Sequence, residues 1–380
     1  MNFDRHHPFI SKIKERKLLT KPGSTKETYH ISLDLKDSDI HFKPGDSIAV
    51  FAQNDPLLVQ HIIEAMHAKG EEPIVETRSS QKMTLRHFLT HKANLSRLTS
   101  SFLKLFYEHE PLHDKKNQLE RLLISENKPL LSQYLATHDP LDLFKEYAEV
   151  KAPLQELCQQ FGPLLPRFYS VASAQIAYPN EVHLTVALFT FSHAGEKRFG
   201  VASHFLSHIA IENETPVPLY VQSSPSFTLP MDHNASLIMI GPGTGVAPFR
   251  AFLQHRLQHQ AQGKNWLFFG ERNRSSDYLY EDYWETLAAQ NKLILDLAFS
   301  RDQFDKIYVQ HKMHAKGKEL WQWIQEGAYL YVCGDAQHMA KDVEAMLIQI
   351  AIEQGYLSHD EARIFFKSLR TQKRYLLDVY

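Results

Sequence analysis

The sequence predicts a protein of the α/β plus β class: an antiparallel β-barrel with a helical insertion, followed by a doubly wound parallel sheet. Strand patterns with turn signals fill the chain before residue 52 and return at Arg167, and helical spacing fills most of the part between them. After Asp232, strand and helix patterns alternate. A chain of 380 residues suits two or three domains. We expect these domains at 1–51 together with 161–231, at 52–160 and at 232–380.

The barrel prediction depends on short strands from two distant parts of the chain. Residues Ser32 to Leu35 alternate with period two, and Lys43-Pro44-Gly45-Asp46 is a turn signal before a strand over Ser47–Phe51. Later strands are expected at Arg167–Ala172, Val182–Phe189 and Pro218–Val221. The simplest topology has these later strands complete the barrel that the earlier strands begin.

The insertion is predicted to be all-helical from about Asn54 to Leu157. Apolar residues recur at helical spacing over Pro56–Met66, Leu85–Leu89 and Asp142–Tyr147. No residue pattern in this part is typical of a catalytic site.

The C-terminal part is predicted to be a parallel sheet with crossover helices, because its strand and helix patterns alternate. Helices are expected at Asp282–Gln290 and Lys341–Ile350. The strands are expected at Leu237–Ile240, Trp266–Phe269, Leu293–Phe299 and Tyr329–Cys333. Ligands of such sheets bind at the carboxyl ends of the strands, so site residues are sought there.

Composition excludes several classes of protein. The net charge of -2 argues against a nucleic-acid binder, and no apolar run approaches membrane-spanning length. The N-terminal residues do not form a signal peptide, so we expect a cytoplasmic protein. Two cysteines, Cys158 and Cys333, give neither a disulfide framework nor a thiolate zinc site. The spacing of His311 and His314 is far more typical of a solvated helix than of a metal site, and we expect no metal.

A glycine-rich turn follows the first strand of the parallel part. Gly241, Gly243 and Gly245 alternate with other residues, and a helix-period segment follows. Glycine permits close approach of the backbone to a ligand, and a helix start offers unpaired N–H groups to a diphosphate. The spacing matches neither the NAD fingerprint nor a Walker loop. The turn is therefore interpreted as a phosphate cradle, with a plain strand-to-helix turn as the alternative.

Polar residues follow the other strands of the parallel part. They are Gly270-Glu271-Arg272, Ser300-Arg301, Lys306 with Tyr308 and Gln310, and Cys333-Gly334-Asp335. Each group alone is compatible with an ordinary solvated loop. Together they indicate a dinucleotide pocket with cations at one end, and arginine in such a pocket accommodates a 2′-phosphate. Two charge-assisted contacts would favour NADPH over NADH by roughly a hundredfold or more.

These motifs, in this order, resemble the ferredoxin–NADP reductase superfamily. The motifs that carry the resemblance are Arg167-x-Tyr169-Ser170, Gly200-x-x-Ser203, Gly241–Pro248, Ser300-Arg301, Lys306-x-Tyr308-x-Gln310, Tyr331–Asp335 and Leu377–Tyr380. Within the superfamily the chain is most similar to the reductase portion of diflavin enzymes, above all to the flavoprotein alpha subunits of NADPH–sulfite reductases. The turn Lys43–Asp46 and the helical insertion fit the same family. The resemblance covers nearly the whole chain.

The resemblance implies an FAD-binding barrel. Arg167 would pair with the diphosphate, and Gly200, Val201, Ala202 and Ser203 would bring backbone N–H groups and a hydroxyl to the same phosphates. Tyr169 and Tyr380 would stack on the two faces of the flavin ring, and Phe191 on adenine, although each aromatic side chain also suits a core position. Thr185 and Val186 complete the residues assigned to FAD.

The resemblance also implies hydride transfer from NADPH to FAD. Ser170, Cys333 and Asp378 match the residues beside the flavin ring, and Tyr380 would move to admit the nicotinamide. Asp378 would stabilise the positive charge that develops as the hydride leaves. The residues assigned to NADPH are Gly241, Gly243, Thr244, Gly245, Arg272, Ser300, Arg301, Lys306, Tyr308, Gln310 and Asp335.

The chain departs from the diflavin pattern at its start. Only about ten residues precede the first strand, whereas a flavodoxin-like FMN domain needs well over a hundred. We therefore expect electrons to leave for a separate acceptor protein, either flavodoxin-like or FMN-containing, or for a sulfite reductase hemoprotein system. A flavodoxin or ferredoxin–NADP reductase remains an alternative, as does a non-catalytic interaction module on the same fold.

Overall fold

The computed structural model describes residues 3–193 and 196–380. The chain forms two compact units. The first, here called the sheet unit, comprises Met1–Val50, Phe168–Leu188 and Ala210–Tyr380. The second, the helical unit, comprises Phe51–Arg167 and Phe189–Ile209. This division rests on compactness alone, so the domain bounds expected from the sequence stay a prediction.

Strands lie before residue 52, within the insertion and from Arg167 onward. They are β1 (Phe9–Ser11), β2 (Ile13–Leu18), β3 (Thr28–Asp34), β4 (Ser47–Val50), β5 (Pro73–Val75), β6 (Lys82–Thr84), β7 (Arg167–Ser170), β8 (Glu181–Ala187), β9 (Thr190–His193), β10 (Glu196–Phe199), β11 (Val217–Gln222), β12 (Leu237–Ile240), β13 (Asn265–Glu271), β14 (Ile294–Phe299), β15 (Tyr329–Gly334) and β16 (Tyr375–Val379).

The helices fill the insertion and alternate with the later strands. They are α1 (Pro56–Ala65), α2 (Leu85–His91), α3 (Ser100–His109), α4 (His113–Leu123), α5 (Lys128–Thr137), α6 (Pro140–Glu146), α7 (Leu154–Gln160), α8 (Val201–His204), α9 (Ala247–Gln258), α10 (Arg274–Asp277), α11 (Glu281–Ala289), α12 (Val309–Ala315), α13 (Gly317–Gln325), α14 (Met339–Gly355) and α15 (His359–Thr371). Across 3–193 and 196–380, no helix has the length and apolar character needed to cross a membrane. The cytoplasmic location stays a prediction.

Among the described residues of the sheet unit, antiparallel strands form two sheets, with the orders β2-β3-β8 and β1-β11-β4-β7. The longest pairing joins β3 to β8, where Ile31 lies opposite Leu184 and Leu33 opposite Val182. All four of these side chains are fully buried, as expected for strands with one face on a core. Strands from before residue 52 and after Arg167 therefore share the same sheets, as the sequence predicted.

Five parallel strands form the second part of the sheet unit, in the order β14-β13-β12-β15-β16. The sheet grows from β12 in both directions, because β13 pairs with one side of β12 and β15 with the other. Helices pack on both faces, and each face has its own apolar core. This is a doubly wound sheet, and the predicted fold class is confirmed. Its topological switch point lies between β12 and β15, where such sheets bind ligands.

The glycine turn lies at this switch point, directly after β12. Gly243 has a φ of +59°, which glycine adopts without strain. A Cβ atom on Gly245 would clash with the carbonyl oxygen of Cys333 at the end of β15. The turn therefore packs against the neighbouring strand end, and a larger residue at position 245 would separate the two.

The insertion is not all-helical, so that prediction is wrong in one place. Strands β5 and β6 form an antiparallel hairpin, in which Ile74 pairs with Met83. Each strand has only three residues, which is too short for a period-two pattern to stand out from helical spacing. The helical unit otherwise has a core of helix side chains, including the mutually packed rings of Phe102, Phe106 and Phe144.

Two further strand pairs were not expected from the sequence. The antiparallel pair of β9 and β10 lies in the helical unit, in a segment to which no strand was assigned. At the C-terminus, β16 adds a parallel edge strand beside β15, with Asp378 directly opposite Cys333. Five residues at a chain end give little periodicity, and the strand forms because β15 offers it a row of backbone partners.

Candidate functional site

Three side chains from distant parts of the sequence meet at one carboxylate oxygen. Ser170, the last residue of β7, donates from Oγ to Asp378 Oδ2 at 3.0 Å. Cys333, near the end of β15, donates from Sγ to the same oxygen at 3.8 Å. The pairing of β15 with β16 accounts for the second contact, since it sets Asp378 opposite Cys333. The sheet unit thus brings together the three residues predicted to surround the chemistry.

Burial controls the protonation of this cluster. It raises the pKa of the Asp378 carboxyl above its usual value, although the hydrogen bonds from Ser170 and Cys333 act in the opposite direction. Burial also raises the pKa of the Cys333 thiol well above its usual value, and the negative charge of Asp378 adds to that effect. Cys333 is therefore a neutral thiol at physiological pH, and it serves as a donor rather than as a nucleophile.

Tyr380 is attached to the same strand ends. Its backbone N–H donates to the Gly334 carbonyl and its own carbonyl accepts from Ala336, both at 3.1 Å. Its hydroxyl lies 3.0 Å from Oγ1 of Thr244 in the glycine turn. The residue is nevertheless 57% exposed. An exposed aromatic ring thus lies beside the glycine turn, with its hydroxyl in contact with Thr244.

A cleft of about 600 Å³ opens at the carboxyl ends of β12, β13, β14 and β15. Eight residues that the sequence assigned to a nucleotide line it: Gly243, Arg272, Ser300, Arg301, Lys306, Tyr308, Gln310 and Asp335. Gly241, Thr244 and Gly245 belong to the glycine turn beside it. The cleft has the size and the position of a ligand site in a doubly wound sheet.

The cations of the cleft differ in how they are held. Arg301 and Lys306 are exposed, and among the described residues their side chains form no hydrogen bond or ion pair. Arg272 instead donates from Nη1 to Thr25 Oγ1 at 2.6 Å. Arg301 and Lys306 are therefore available to an anionic ligand, whereas Arg272 already donates a hydrogen bond to Thr25.

The polar side chains of the cleft are mostly engaged with the protein. Ser300 Oγ donates weakly to the Glu271 carbonyl at 3.3 Å, and Gln310 Nε2 donates to Asp342 Oδ2 at 3.2 Å. Asp335 Oδ1 accepts from the backbone N–H groups of His338 and Met339, and these bonds lower its pKa. Asp335 thus stabilises the start of α14, and its carboxylate faces part of the same cleft.

The remaining predicted residues of the sheet unit are less accessible. Tyr169 is half-buried. Thr185 and Val186 are buried, and the Thr185 hydroxyl lies 2.7 Å from that of Tyr280. A cofactor would reach these two residues through their backbone only, so their assignment stays a prediction.

The helical unit carries the predicted phosphate segment. Gly200 precedes the short helix α8, and Ser203 Oγ donates to the Gly200 carbonyl at 3.0 Å while accepting from Phe189 N at 3.1 Å. In the part of the chain that the structure describes, the amides of residues 201–203 have no acceptor. These amides fit a diphosphate. Arg167 is exposed, as is Phe191 on β9, at 39%.

Sequence reasoning missed one feature of the cleft. Glu271 also lines it, and Lys26 pairs with its carboxylate from 245 residues away. Nothing in the local sequence around either residue indicates this pairing. In 3–193 and 196–380, no cluster of three His, Cys, Asp or Glu side chains is placed to hold a metal ion. The expected absence of a metal stays a prediction.

A glycine turn at the switch point, a charged cleft and a second set of free amides define a protein that binds dinucleotides. Residues 1–205 match the family described as FAD binding domain, and the chain belongs to that family. Residues 239–345 match the family described as oxidoreductase NAD-binding domain. The expected pair of cofactor domains, for FAD and for a nicotinamide dinucleotide, is confirmed.

Curated relatives extend the similarity over the whole chain. The chain is 39% identical to the sulfite reductase [NADPH] flavoprotein alpha-component of Shewanella oneidensis, over all of its own length and 61% of that protein. The proteins of the same name from Vibrio cholerae and Escherichia coli are 38% and 37% identical, with 60% and 62% of their length covered. The resemblance inferred from the motifs is confirmed. The chain spans about three fifths of the length of these relatives.

Proposed function

We propose that this chain is the FAD- and NADPH-binding part of an oxidoreductase that takes hydride from NADPH and passes electrons to a separate protein acceptor. The observation that carries the proposal is the contact of Ser170 and Cys333 with one oxygen of Asp378. This cluster lies at the ends of β15 and β16, where the glycine turn also lies. A structural role alone would not need a partly buried carboxylate there, because removing a charge from water is costly.

The residues present fit both cofactors. In the sheet unit, Tyr169, Thr185, Val186 and Tyr380 are assigned to FAD. In the helical unit, Arg167, Phe191 and the segment Gly200-Val201-Ala202-Ser203 are assigned to FAD. The nicotinamide dinucleotide is assigned to Gly241, Gly243, Thr244, Gly245, Arg272, Ser300, Arg301, Lys306, Tyr308, Gln310 and Asp335. When bound, FAD would supply the ring that accepts the hydride and NADPH would supply the hydride.

The protein's own contribution is orientation and charge. Asp378 Oδ2 accepts the Ser170 hydroxyl proton and thereby fixes the direction of Ser170 Oγ. The Asp378 carboxylate stabilises positive charge that develops next to it, and its partial burial strengthens that effect. Cys333 keeps its proton, and its buried thiol lies next to the Asp378 carboxylate. Tyr380 lies beside the glycine turn and would have to move to admit the nicotinamide.

Preference for NADPH over NADH is assigned to Arg301 and Lys306. Their side chains are exposed in the cleft, so they meet a ligand without first breaking a bond within the protein. A 2′-phosphate carries the additional charge that distinguishes NADPH, and a guanidinium is suited to bind it in a bidentate way.

The acceptor is proposed to be another protein, either flavodoxin-like or FMN-containing, or a sulfite reductase hemoprotein system. Support comes from the relatives, whose printed name is sulfite reductase [NADPH] flavoprotein alpha-component. A flavodoxin or ferredoxin–NADP reductase would use the same residues with the opposite direction of electron flow. A non-catalytic module would not retain Ser170, Cys333 and Asp378 in hydrogen-bond contact.

The test starts from the purified chain reconstituted with FAD. We expect a flavin spectrum with bands in the visible range, and we expect anaerobic NADPH to bleach it much faster than NADH at equal concentration. Reoxidation by an added flavodoxin, by an FMN-containing protein or by a sulfite reductase hemoprotein then identifies the class of acceptor. A preparation that takes up no FAD, or a flavin that NADPH leaves oxidised, would contradict the proposal.

A further inference from the structure

A buried carboxylate lies against the glycine turn, in the cleft proposed for an anionic dinucleotide. Glu271 is the last residue of β13, and only 4% of its side chain is exposed. Its Oε1 atom is 3.4 Å from the position that a Cβ atom on Gly243 would take. Its Oε2 atom accepts from the backbone N–H of Arg272 at 2.8 Å. The negative charge thus faces the turn at which a diphosphate would bind.

Lys26 neutralises this carboxylate from another part of the sheet unit. Its Nζ atom pairs with Glu271 Oε1, the oxygen nearest Gly243. The Lys26 side chain is 26% exposed and that of Glu271 is 4% exposed, so water screens this ion pair only in part. Lys26 lies in the loop between β2 and β3, so this loop places a positive charge on a carboxylate that lines the cleft.

The loop is fixed in place independently of this ion pair. Arg272 Nη1 donates to Thr25 Oγ1 at 2.6 Å, and Ser24 Oγ donates to Asp277 Oδ1 at 2.5 Å. The backbone N–H of Lys21 donates to the Ser276 carbonyl at 2.8 Å. Removal of the Lys26 charge would therefore leave the loop attached, so the electrostatic role of Lys26 can be separated from its packing role.

The electrostatic consequence is large for an anionic ligand. Charges near a protein surface interact at an effective dielectric constant of about 20, well below that of water, so an unneutralised negative charge at the turn should lower the affinity for an anion by about tenfold or more. Without Lys26, the Glu271 carboxylate would repel a diphosphate at the glycine turn. With Lys26 the two charges nearly cancel, and binding depends on the turn amides and on Arg301 and Lys306.

We propose that the Lys26–Glu271 pair sets the affinity of the cleft for the diphosphate of a dinucleotide. Lys26 acts as a positioning residue that neutralises Glu271, and Glu271 in turn limits how strongly Lys26 attracts the ligand. The proposal rests on the function proposed above, in that the ligand is a nicotinamide dinucleotide. The diphosphate is common to NADP+ and NAD+, so the pair affects both ligands equally and does not contribute to the preference between them.

The test is a double-mutant cycle read by isothermal titration calorimetry with NADP+ and with NAD+ on the FAD-loaded protein. Lys26→Met should weaken the binding of both nucleotides by the same factor, about tenfold or more. Glu271→Gln should tighten both several-fold, because it leaves the Lys26 charge unopposed. The double variant should return to within about threefold of the unmodified protein. High salt should reduce both single-variant effects.

Lys21→Met is the matched control. Lys21 lies in the same loop and pairs with Glu281, which is not among the residues that line the cleft. This control should leave both affinities unchanged. Thermal midpoints of all variants, recorded without nucleotide, report any loss of packing.

The outcomes separate this inference from the proposed function. If the unmodified protein binds neither nucleotide, both fail. If it binds NADP+ but Glu271→Gln fails to tighten binding, or Lys21→Met weakens it as much as Lys26→Met does, only the inference is overturned. A purely structural pair would lower the thermal midpoint in both single variants without any gain in affinity, and that result would also overturn it.

Discussion

The sheet unit contains two polar regions that differ in burial and in how their charges are satisfied. In the cluster of Ser170, Cys333 and Asp378, every polar side chain is in contact with another, and burial raises the pKa of both Asp378 and Cys333. In the loop from Ser300 to Lys306, Arg301 and Lys306 are exposed. The cluster holds the Asp378 carboxylate in a partly buried position at a cost in stability. The loop presents the charges of Arg301 and Lys306 to water, which stabilises them.

The difference in burial determines how the charges of each region can act. A partly buried charge acts strongly on a group that becomes charged beside it, because the surroundings screen it poorly. An exposed charge interacts more weakly and is screened by salt, so it is better suited to select among ligands than to stabilise a reaction. Substitutions in the two regions should therefore change different measured quantities.

The largest expected effect is on the rate of flavin reduction in Asp378→Asn. The amide has nearly the shape of the carboxylate and can still accept from Ser170, but it lacks the negative charge. We expect the rate of flavin reduction by NADPH to fall about a hundredfold or more, which is the usual cost of removing one preorganised electrostatic contact. Anaerobic stopped-flow absorbance measures this rate directly.

The control for that variant is Asp360→Asn. Asp360 is an exposed carboxylate at the start of α15, outside the cleft. Its substitution should leave the reduction rate unchanged. If NADPH reduced the flavin of the Asp378→Asn protein at the rate of the unmodified protein, Asp378 would have no role in hydride transfer. The proposed difference in role between the cluster and the loop would then be wrong.

A smaller effect is expected on nucleotide selectivity in Arg301→Ala. The loss of one charge-assisted contact should weaken NADPH binding by roughly tenfold or more and leave NADH binding nearly unchanged. The ratio of the two dissociation constants measures the effect. Arg274→Ala is the matched control, because Arg274 is an exposed arginine that pairs with Glu285 and does not line the cleft. Equal weakening of NADPH and NADH would show that Arg301 does not contact the 2′-phosphate.

The fold was predictable where its signals are local. The strand before Gly241 and the alternating glycines lie within a few residues of each other, and the alternation of strands and helices after Asp232 directly predicts a doubly wound sheet. The position of the cleft follows from that topology. Short pairings were missed, namely β5 with β6, β9 with β10, and β16 with β15, because three to five residues give too little periodicity.

The site was predictable only in part, because its contacts join residues far apart in sequence. Ser170 and Asp378 are separated by 208 positions, and their association was expected from family motifs rather than from local pattern. The motif containing Glu271 was noticed, yet its pairing with Lys26 was not. This ion pair forms only because the loop between β2 and β3 packs beside the end of β13, and no short-range pattern in the sequence predicts that packing.

The smallest expected effect is on stability, and it again uses Asp378→Asn. Because the pKa of Asp378 is raised in the folded state, the folded protein binds this proton more tightly than the unfolded chain does. Its contribution to stability is fully present below the unfolded pKa of about 3.9 and is lost as the pH rises through the folded pKa. The neutral amide does not titrate. Asp378→Asn should therefore be more stable than the unmodified protein at pH 8, and the difference should shrink toward pH 4.

Scanning fluorimetry of the nucleotide-free protein across this pH range measures the effect. A change of 1 kcal/mol moves the midpoint by about 2–4 °C for a domain of roughly 150–250 residues, so a shift of this order is resolved. Asp360→Asn, at an exposed position, should not reproduce the pH-dependent gain. If Asp378→Asn instead lowers the midpoint at pH 8, the carboxylate stabilises the fold through its two hydrogen bonds by more than its burial costs. The contrast between the two regions would then be reversed, because the partly buried charge of Asp378 would stabilise the fold and the loss of reduction rate would need another cause.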